Sequence, residues 1–336
     1  MRCPNPVGDA VMATPALRAL RRAHPAAQIA LLGPARNADL LRGVDSFDEF
    51  IPILGAGMRA TLARARALRA RRFDWALLLP DSHRTALDAC LARIPRRAGY
   101  ARDPLRRALL TDALAPPREN GRRVPFSMIE RYLRLTRLLG CPDAGEALDL
   151  VVSDAARARV AELFAAHAVA PEARLLLVTP GASYGTSKLW PPDHFARTCD
   201  ALEERFGLLP VLVAAPQAEE IAVARAVAER MHGRCVPLFE RPGNLEDLKA
   251  LVERATLVLT NDTGPRHVAV ALDRPVVVLM GPTDPRHTAH LLERQRVLRE
   301  DVACSPCGKK TCPIDHRCMT RLQPDRVLAA AAELLA

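Results

Sequence analysis

Short apolar runs rich in Val, Ile and Leu alternate along this chain with longer amphipathic stretches, and that alternation confines it to α/β folds built on parallel sheets. In the first half the runs at 28–32, 50–54 and 74–79 read as strands, and the patterns at 10–23, 58–72 and 82–93 read as helices. A further helix over 124–139 stops at Gly140, with Pro142 close behind, and 140–152 has the Gly, Pro and acidic content of a linker. The pattern restarts with a helix over 154–167. Strands follow at 174–179, 209–214, 235–239, 256–260 and 275–280, separated by helices at 192–206, 218–231, 245–254 and 265–272. Two doubly wound α/β domains are the economical solution, and 336 residues are ample chain for two cores. In such sheets ligands bind beyond the carboxyl ends of the strands, so chemistry is expected at the strand-to-helix junctions.

Even the most apolar runs, such as Leu208 to Pro216 and Pro275 to Gly281, fall far short of the roughly 18 residues of a membrane span. The start of the chain mixes Pro4, Asn5, Pro6 and Asp9, which leaves no apolar core for a signal peptide. Cytoplasmic residence is expected. Charge is one-sided: residues 1–150 hold 25 Arg and no Lys against 15 Asp plus Glu, the remainder is balanced, and the formal +10 therefore lies in the first half. A basic half calls for an anionic partner, whether nucleic acid, a phosphorylated glycan or an acidic membrane face, unless it is only a solvated surface in an Arg-rich composition. Aromatics make up 4% of the chain, too few for the stacking platforms that hold single-stranded nucleic acid.

Four junctions carry candidate chemistry. The first, Asn5 to Ala10, precedes a helix; Gly8 allows a tight turn or close approach of a ligand, and Asp9 is either a helix cap or a functional carboxylate. The second leaves a buried strand at Thr179 and runs through Gly181, Ala182, Thr186 and Ser187 to Lys188, one of only four lysines. Backbone amides, hydroxyls and one ammonium are the parts that bind a diphosphate, although the spacing is not that of a P-loop. The third, Asn261-Asp262-Thr263-Gly264-Pro265-Arg266-His267, opens a helix whose positive end suits a phosphate or a departing oxyanion. The fourth, Gly281 to Pro285 with Thr283 and Asp284, has the same form after the next strand. Three phosphate-friendly junctions in one domain against one acidic junction in the other suggest a nucleotide-linked donor held by the second and chemistry delivered from the first.

Read together, the run Gly8 to Leu17, the segment from Pro180-Gly181-Ala182 to Lys188-Leu189-Trp190-Pro191, and Asn261 to His267 followed by Gly281 to Pro285 resemble the ADP-heptose:lipopolysaccharide heptosyltransferases. These are glycosyltransferases of family nine with a GT-B fold, two Rossmann-like domains facing a cleft. The resemblance spans nearly the whole chain, and the wording of the first run and the cysteine-rich tail are most like the type II members. It implies an acceptor-binding domain over 1–150, an ADP-sugar donor-binding domain over 151–321, and a C-terminal helix over 322–336 packing back on the first domain. It implies Asp9 as the general base on the acceptor hydroxyl and Lys188 as the cation on the donor diphosphate. Thr179, Gly181, Ala182, Thr186, Ser187, Asp262, Thr263, Gly264, His267, Thr283 and Asp284 would line the donor site, with Glu219 or Glu220 on the ribose. Gly8, with arginines among Arg59, Arg93, Arg97, Arg122 and Arg123, would meet the acceptor. The implied reaction is inverting transfer of heptose from ADP-L-glycero-D-manno-heptose to the lipopolysaccharide inner core, heptosyl-Kdo-lipid A. No metal or other cofactor is required for it, and the basic half would sit peripherally on the anionic inner membrane face. Two readings of other classes stand beside it: a nucleotide-sugar epimerase of similar fold, and a basic non-catalytic nucleic-acid-binding protein.

Cys304, Cys307, Cys312 and Cys318, with His316 among them, supply enough ligands for a structural zinc or iron–sulfur site, against short-range disulfides or packed thiols. The amino terminus raises a separate expectation. In the family resembled, the Gly8-Asp9 junction follows a central strand, yet only eight residues with two prolines precede Asp9. Either the first sheet lacks its central strand and leaves an apolar groove, or a strand of about five to seven residues precedes Met1, and the second is expected.

Overall fold

The computed structural model describes residues 1–336, which divide into two units: Met1–Asp149 with Arg286–His290, and Leu150–Pro285 with Leu291–Ala336. Strands and helices are numbered in chain order. The first unit runs α1 (Val7–Met12), α2 (Thr14–Ala23), β1 (Ala30–Gly33), α3 (Arg36–Leu41), β2 (Glu49–Pro52), α4 (Gly57–Ala70), β3 (Trp75–Leu78), α5 (His83–Leu91) and β4 (Arg96–Tyr100). It continues through α6 (Pro104–Ala108), β5 (Asp112–Leu114), the hairpin β6 (Arg118–Glu119) and β7 (Arg122–Arg123), and α7 (Met128–Leu138). The helix expected over 10–23 is two helices that meet at Ala13. Pro15 has no amide proton for the carbonyl of Val11, and the Thr14 hydroxyl donates to that carbonyl instead at 2.8 Å.

The parallel sheet of the first unit comes in two pieces, β1 with β2 and β3-β4-β5. Arg2 joins them through single parallel bridges to Leu32 and Leu78. Beside Met1 and Arg2 lies an apolar groove of about 560 Å³, lined by Met1, Ile29, Ala30, Phe73, Trp75 and Leu77 among others.

The second unit contains α8 (Asp154–Ala166), β8 (Leu175–Thr179), α9 (Pro192–Phe206), β9 (Leu209–Leu212), α10 (Ala218–Ala228), β10 (Val236–Pro237), α11 (Leu245–Arg254) and β11 (Leu257–Asn261). It ends with α12 (Gly264–Ala271), β12 (Val276–Leu279), β13 (Gln295–Leu298), α13 (Arg317–Thr320) and α14 (Pro324–Leu335). Its strands are all parallel in the order β10-β9-β8-β11-β12-β13. The order reverses between β8 and β11, which makes the crevice beyond Thr179 and Asn261 the expected ligand position of a doubly wound sheet. β8, β11 and β12 are buried at every residue, which is why they read as unbroken apolar runs rather than alternating ones.

Val327, Leu328, Ala330 and Ala331 of α14 belong to the hydrophobic core that holds Leu176, Trp190 and Phe195, so the last helix completes the core of the second unit. The indole of Trp190 fixes its approach by donating to the Leu322 carbonyl at 2.8 Å.

Candidate active site

At the switch point the Thr179 hydroxyl donates to the Thr260 hydroxyl at 2.6 Å, tying the carboxyl ends of β8 and β11 together. Asn261, the last residue of β11, donates through its side-chain amide to the Pro180 carbonyl at 2.6 Å and accepts from the Trp190 amide at 3.3 Å. One amide side chain thus anchors both ends of the 180–190 loop. Within that loop a short 3-10 turn, Thr186–Lys188, ends on the lysine.

The Lys188 ammonium donates to the Asp262 carboxylate at 2.8 Å and to the Asp262 carbonyl at 2.7 Å. The other carboxylate oxygen of Asp262 accepts from Arg266 at 3.0 Å. Burial alone would push the Asp262 carboxyl up, but Lys188 and then Arg266 outweigh it and hold that carboxyl well below the usual range. Two of the three ammonium protons of Lys188 are therefore engaged, and the third remains to donate. Thr263 stands at the cap position of α12 without a side-chain bond to the first amides, so the positive end of the helix is not closed by its own cap. His267 lies buried in the first turn of α12. Thr283 and Asp284, half-buried, follow β12 beside these groups in the sheet order.

Of the two glutamates at the start of α10, Glu220 is the one turned to the loop, where it accepts from the Ser183 hydroxyl; Glu219 is exposed. A Cβ at Gly181 would collide with the Glu220 carboxylate, so this glycine is what lets the carboxylate approach. Thr186 is exposed. Ser187 is not available as a ligand hydroxyl, because it is buried and donates to the Lys309 carbonyl.

That last bond belongs to a feature the sequence did not disclose. The cysteine-rich segment straps the loop: the Ser187 amide donates to the Lys310 carbonyl at 3.0 Å, Tyr184 donates to the Gly308 carbonyl, and His316 bonds the Ser187 carbonyl at 2.8 Å. The same segment reaches the turn after β12 through the Gly308 amide on the Pro282 carbonyl at 2.9 Å and Ser305 on the Gly281 carbonyl at 2.7 Å. Gly185, at φ +152°, has no room for a Cβ against the Lys310 carbonyl. The four cysteines are free thiols, exposed at Cys304 and Cys307 and buried at Cys318, and no group of three or more potential ligands in the structure could hold a metal ion. Of the alternatives the cysteines left open, the structure shows free thiols, and the segment meets the 180–190 loop through backbone carbonyls and His316.

In the first unit Asp9 is the third residue of α1, in its first turn, and the cap position is held by Pro6. Gly8 is buried and Asp9 half-buried. Burial first, and then the Asp9 charge, push the Tyr132 phenol of α7 well above its ordinary value. Arg122 and Arg123 are exposed on the hairpin, where with Glu119, Asn120 and Arg286 they line a polar hollow of about 510 Å³; Arg123 donates to the Arg102 carbonyl at 2.8 Å. Arg59 is exposed on α4 and is not brought to Asp9 by any recorded contact. The apolar groove of this unit shares no residue with any of these groups.

A family model described as glycosyltransferase family 9 (heptosyltransferase) matches residues 61–317, most of the chain. The chain belongs to this family. As a heptosyltransferase it is similar to lipopolysaccharide heptosyltransferase 2 of Salmonella typhimurium, at 31% identity over 99% of this chain and 97% of that one. Lipopolysaccharide heptosyltransferase 2 of Escherichia coli is 30% identical over 80% of this chain and 78% of its own length. The solved structure of E. coli ADP-heptose lps heptosyltransferase II superposes with a TM-score of 0.79 at 28% identity, covering 99% of this chain and 97% of that one. The fold is the GT-B fold of those enzymes, and this heptosyltransferase is an enzyme of the glycosyltransferase class. Membership sets aside the epimerase and nucleic-acid-binding readings. Asn261 and Arg266 belong to the third junction, where sequence reasoning gave them no role of their own; the signals were that the first is the polar terminus of an apolar strand and the second lies four residues beyond Asp262.

Proposed function

We propose that this heptosyltransferase transfers heptose from ADP-L-glycero-D-manno-heptose to the lipopolysaccharide inner core, heptosyl-Kdo-lipid A, with inversion at the anomeric carbon. The observation that carries the donor half of this reading is the Lys188–Asp262–Arg266 arrangement at the switch point of the second unit, beside the uncapped end of α12. Asp262 fixes the lysine in place, so one ammonium proton and the first amides of α12 are oriented before a diphosphate arrives. Groups aligned in advance stabilise developing charge without reorganising at the moment of reaction, and the leaving ADP is where negative charge develops. Glu220, aimed at the loop, is the carboxylate for the ribose hydroxyls. Thr186, Gly181, Ala182, Thr263, Thr283 and Asp284 complete the donor surface, while Ser187 positions the loop.

Inversion needs a base on the face of the sugar opposite the leaving group. Asp9 has the chemistry for it, a half-buried carboxylate in the first turn of α1, and takes the proton of the acceptor hydroxyl as the new glycosidic bond forms. Arg122 and Arg123, with Arg59, supply cations for a phosphorylated acceptor, in keeping with the +10 of the first half. The names of the relatives support both substrates. The test is incubation of the full chain with ADP-heptose and defined truncated lipopolysaccharide acceptors. The expected product gains one heptose, found by mass, in the anomeric configuration opposite to the donor's; retention, or release of ADP with no acceptor modified, overturns the reading.

A further inference from the structure

Helix α4 presents to solvent a face that no other part of the protein covers. Leu54, Met58 and Leu62 are 74%, 62% and 47% exposed, and Gly55 and Gly57, both at positive φ, form the turn that leads into the helix. Met58 and Leu62 are one turn apart, and Arg59, Arg66 and Arg69, all exposed, fall within the same arc, flanked by Ala63, Ala67 and Ala70. From Leu54 to Phe73 there is no acidic residue. The helix sorts its arginines. Arg64, on the inward side, is held by Asp88 at 2.8 Å, and Arg71, just past the helix, is paired with Glu49. The three on the outer arc take part in no recorded ion pair. The buried side of α4 is Thr61, Ala65 and Leu68.

We infer that the outer face of α4 docks on the surface of an anionic phospholipid bilayer, with Met58 and Leu62 entering the headgroup boundary and Arg66 and Arg69 meeting lipid phosphates. Charge complementarity commits the face to this occupant: exposed apolar and basic side chains with no acid among them are the composition of helices that lie in a membrane interface. Arginine suits the position because its apolar stem can lie along the acyl boundary while its head reaches phosphate. No helix of the protein is long and apolar enough to cross a membrane, so the contact is with one leaflet surface. The inference rests on the proposed function only in giving a lipid-anchored acceptor as the reason for docking.

Its test is co-sedimentation of the full chain with vesicles of phosphatidylcholine, with and without phosphatidylglycerol, in the absence of donor and acceptor. The protein is expected to sediment with the anionic vesicles only, and less as salt rises. The double variant R66E/R69E is expected to bind at least tenfold more weakly, since each arginine near an anionic surface contributes on the order of fivefold. M58S/L62S, which keeps every charge, is expected to bind several-fold more weakly. Both variants should keep affinity for ADP and transfer to a delipidated, water-soluble acceptor, which verifies their fold and separates docking from catalysis. No sedimentation of the unaltered protein with anionic vesicles overturns the inference, as does undiminished sedimentation of either double variant. Vesicle binding without any transferase activity would leave this surface standing and overturn the proposed function instead.

Discussion

The two units follow the same α/β plan and treat positive charge in opposite ways. In the second, two cations are tied to one carboxylate: the half-buried Lys188 and the buried Arg266 both grip Asp262, which is itself almost wholly inaccessible. In the first, arginines are numerous and mostly at the surface. The inward ones are neutralised locally, as Arg64 is by Asp88, and Arg106 spends its guanidinium on the carbonyls of Tyr100 and Pro80. A fixed charge at the end of a rigid sheet suits a ligand of defined geometry, such as a diphosphate. A spread of exposed arginines suits a large anionic partner met over an area. The contrast shows that net charge alone, +10 in one half and nothing in the other, misleads about where the most consequential cation lies.

The comparison breaks most visibly at Asp262. Asp262→Asn leaves the buried Arg266 and the half-buried Lys188 facing a neutral amide, and stability should fall by about 3–5 kcal/mol, read by urea denaturation. The pH dependence follows in sign. The folded-state pKa of Asp262 lies below the ordinary 3.8, so its contribution is fully present above that value and is lost as pH falls through the folded pKa. The unaltered protein should therefore lose stability on acidification below about pH 4, and the variant should lose less over the same window.

Next in size is Asp9→Asn. Turnover should drop at least about 10²-fold, the range for loss of a general base, and thermal stability should change little. Near-normal turnover would move the base elsewhere and remove the chemical half of the division between units.

Glu220→Gln carries a smaller effect. It keeps the bond from Ser183 but loses the charge that would meet the ribose, and affinity for ADP should weaken by about threefold to tenfold, the range for one ordinary hydrogen bond. Unchanged affinity would assign Glu220 to loop support alone. Excess EDTA should have the smallest effect, leaving turnover unaltered, because Lys188 and the amides of α12 supply the positive field; abolition with rescue by magnesium or manganese would contradict this.

How much of this was legible in the sequence differs between the same two regions. β8, β11 and β12 were readable because strands buried on both faces are continuous apolar runs. The junction residues beyond them were readable because Gly, Thr, Asp and Lys stand out after such runs. β4 and β5 were missed, and the reason is physical. Arg96 in β4 stacks on Trp75 at 4.5 Å and pairs with Asp112 of β5 at 3.0 Å, so polar side chains that stabilise one another across the ladder mask the apolar pattern. The helix over 10–23 was drawn too long because an apolar periodicity continues through a proline that backbone bonding cannot. The strap across the donor loop acts through the carbonyls of Gly308, Lys309 and Lys310, and carbonyls carry no residue signature; the cysteines around them did, and suggested a metal site instead. Nor could the apolar positions of α14 say which of two cores they fill.

Titration calorimetry of ADP into three proteins, unaltered, Lys188→Ala and Asp9→Asn, tests the division of labour most directly. Lys188→Ala removes the ammonium aimed at the diphosphate and frees Asp262 to repel it, so Kd should rise at least tenfold, about 1.4 kcal/mol. Asp9→Asn should leave Kd within about twofold, less than half a kcal/mol on the same scale. Undiminished affinity in Lys188→Ala, or a loss in Asp9→Asn as large as the one predicted for the lysine, would contradict a donor held by the second unit and a base supplied by the first.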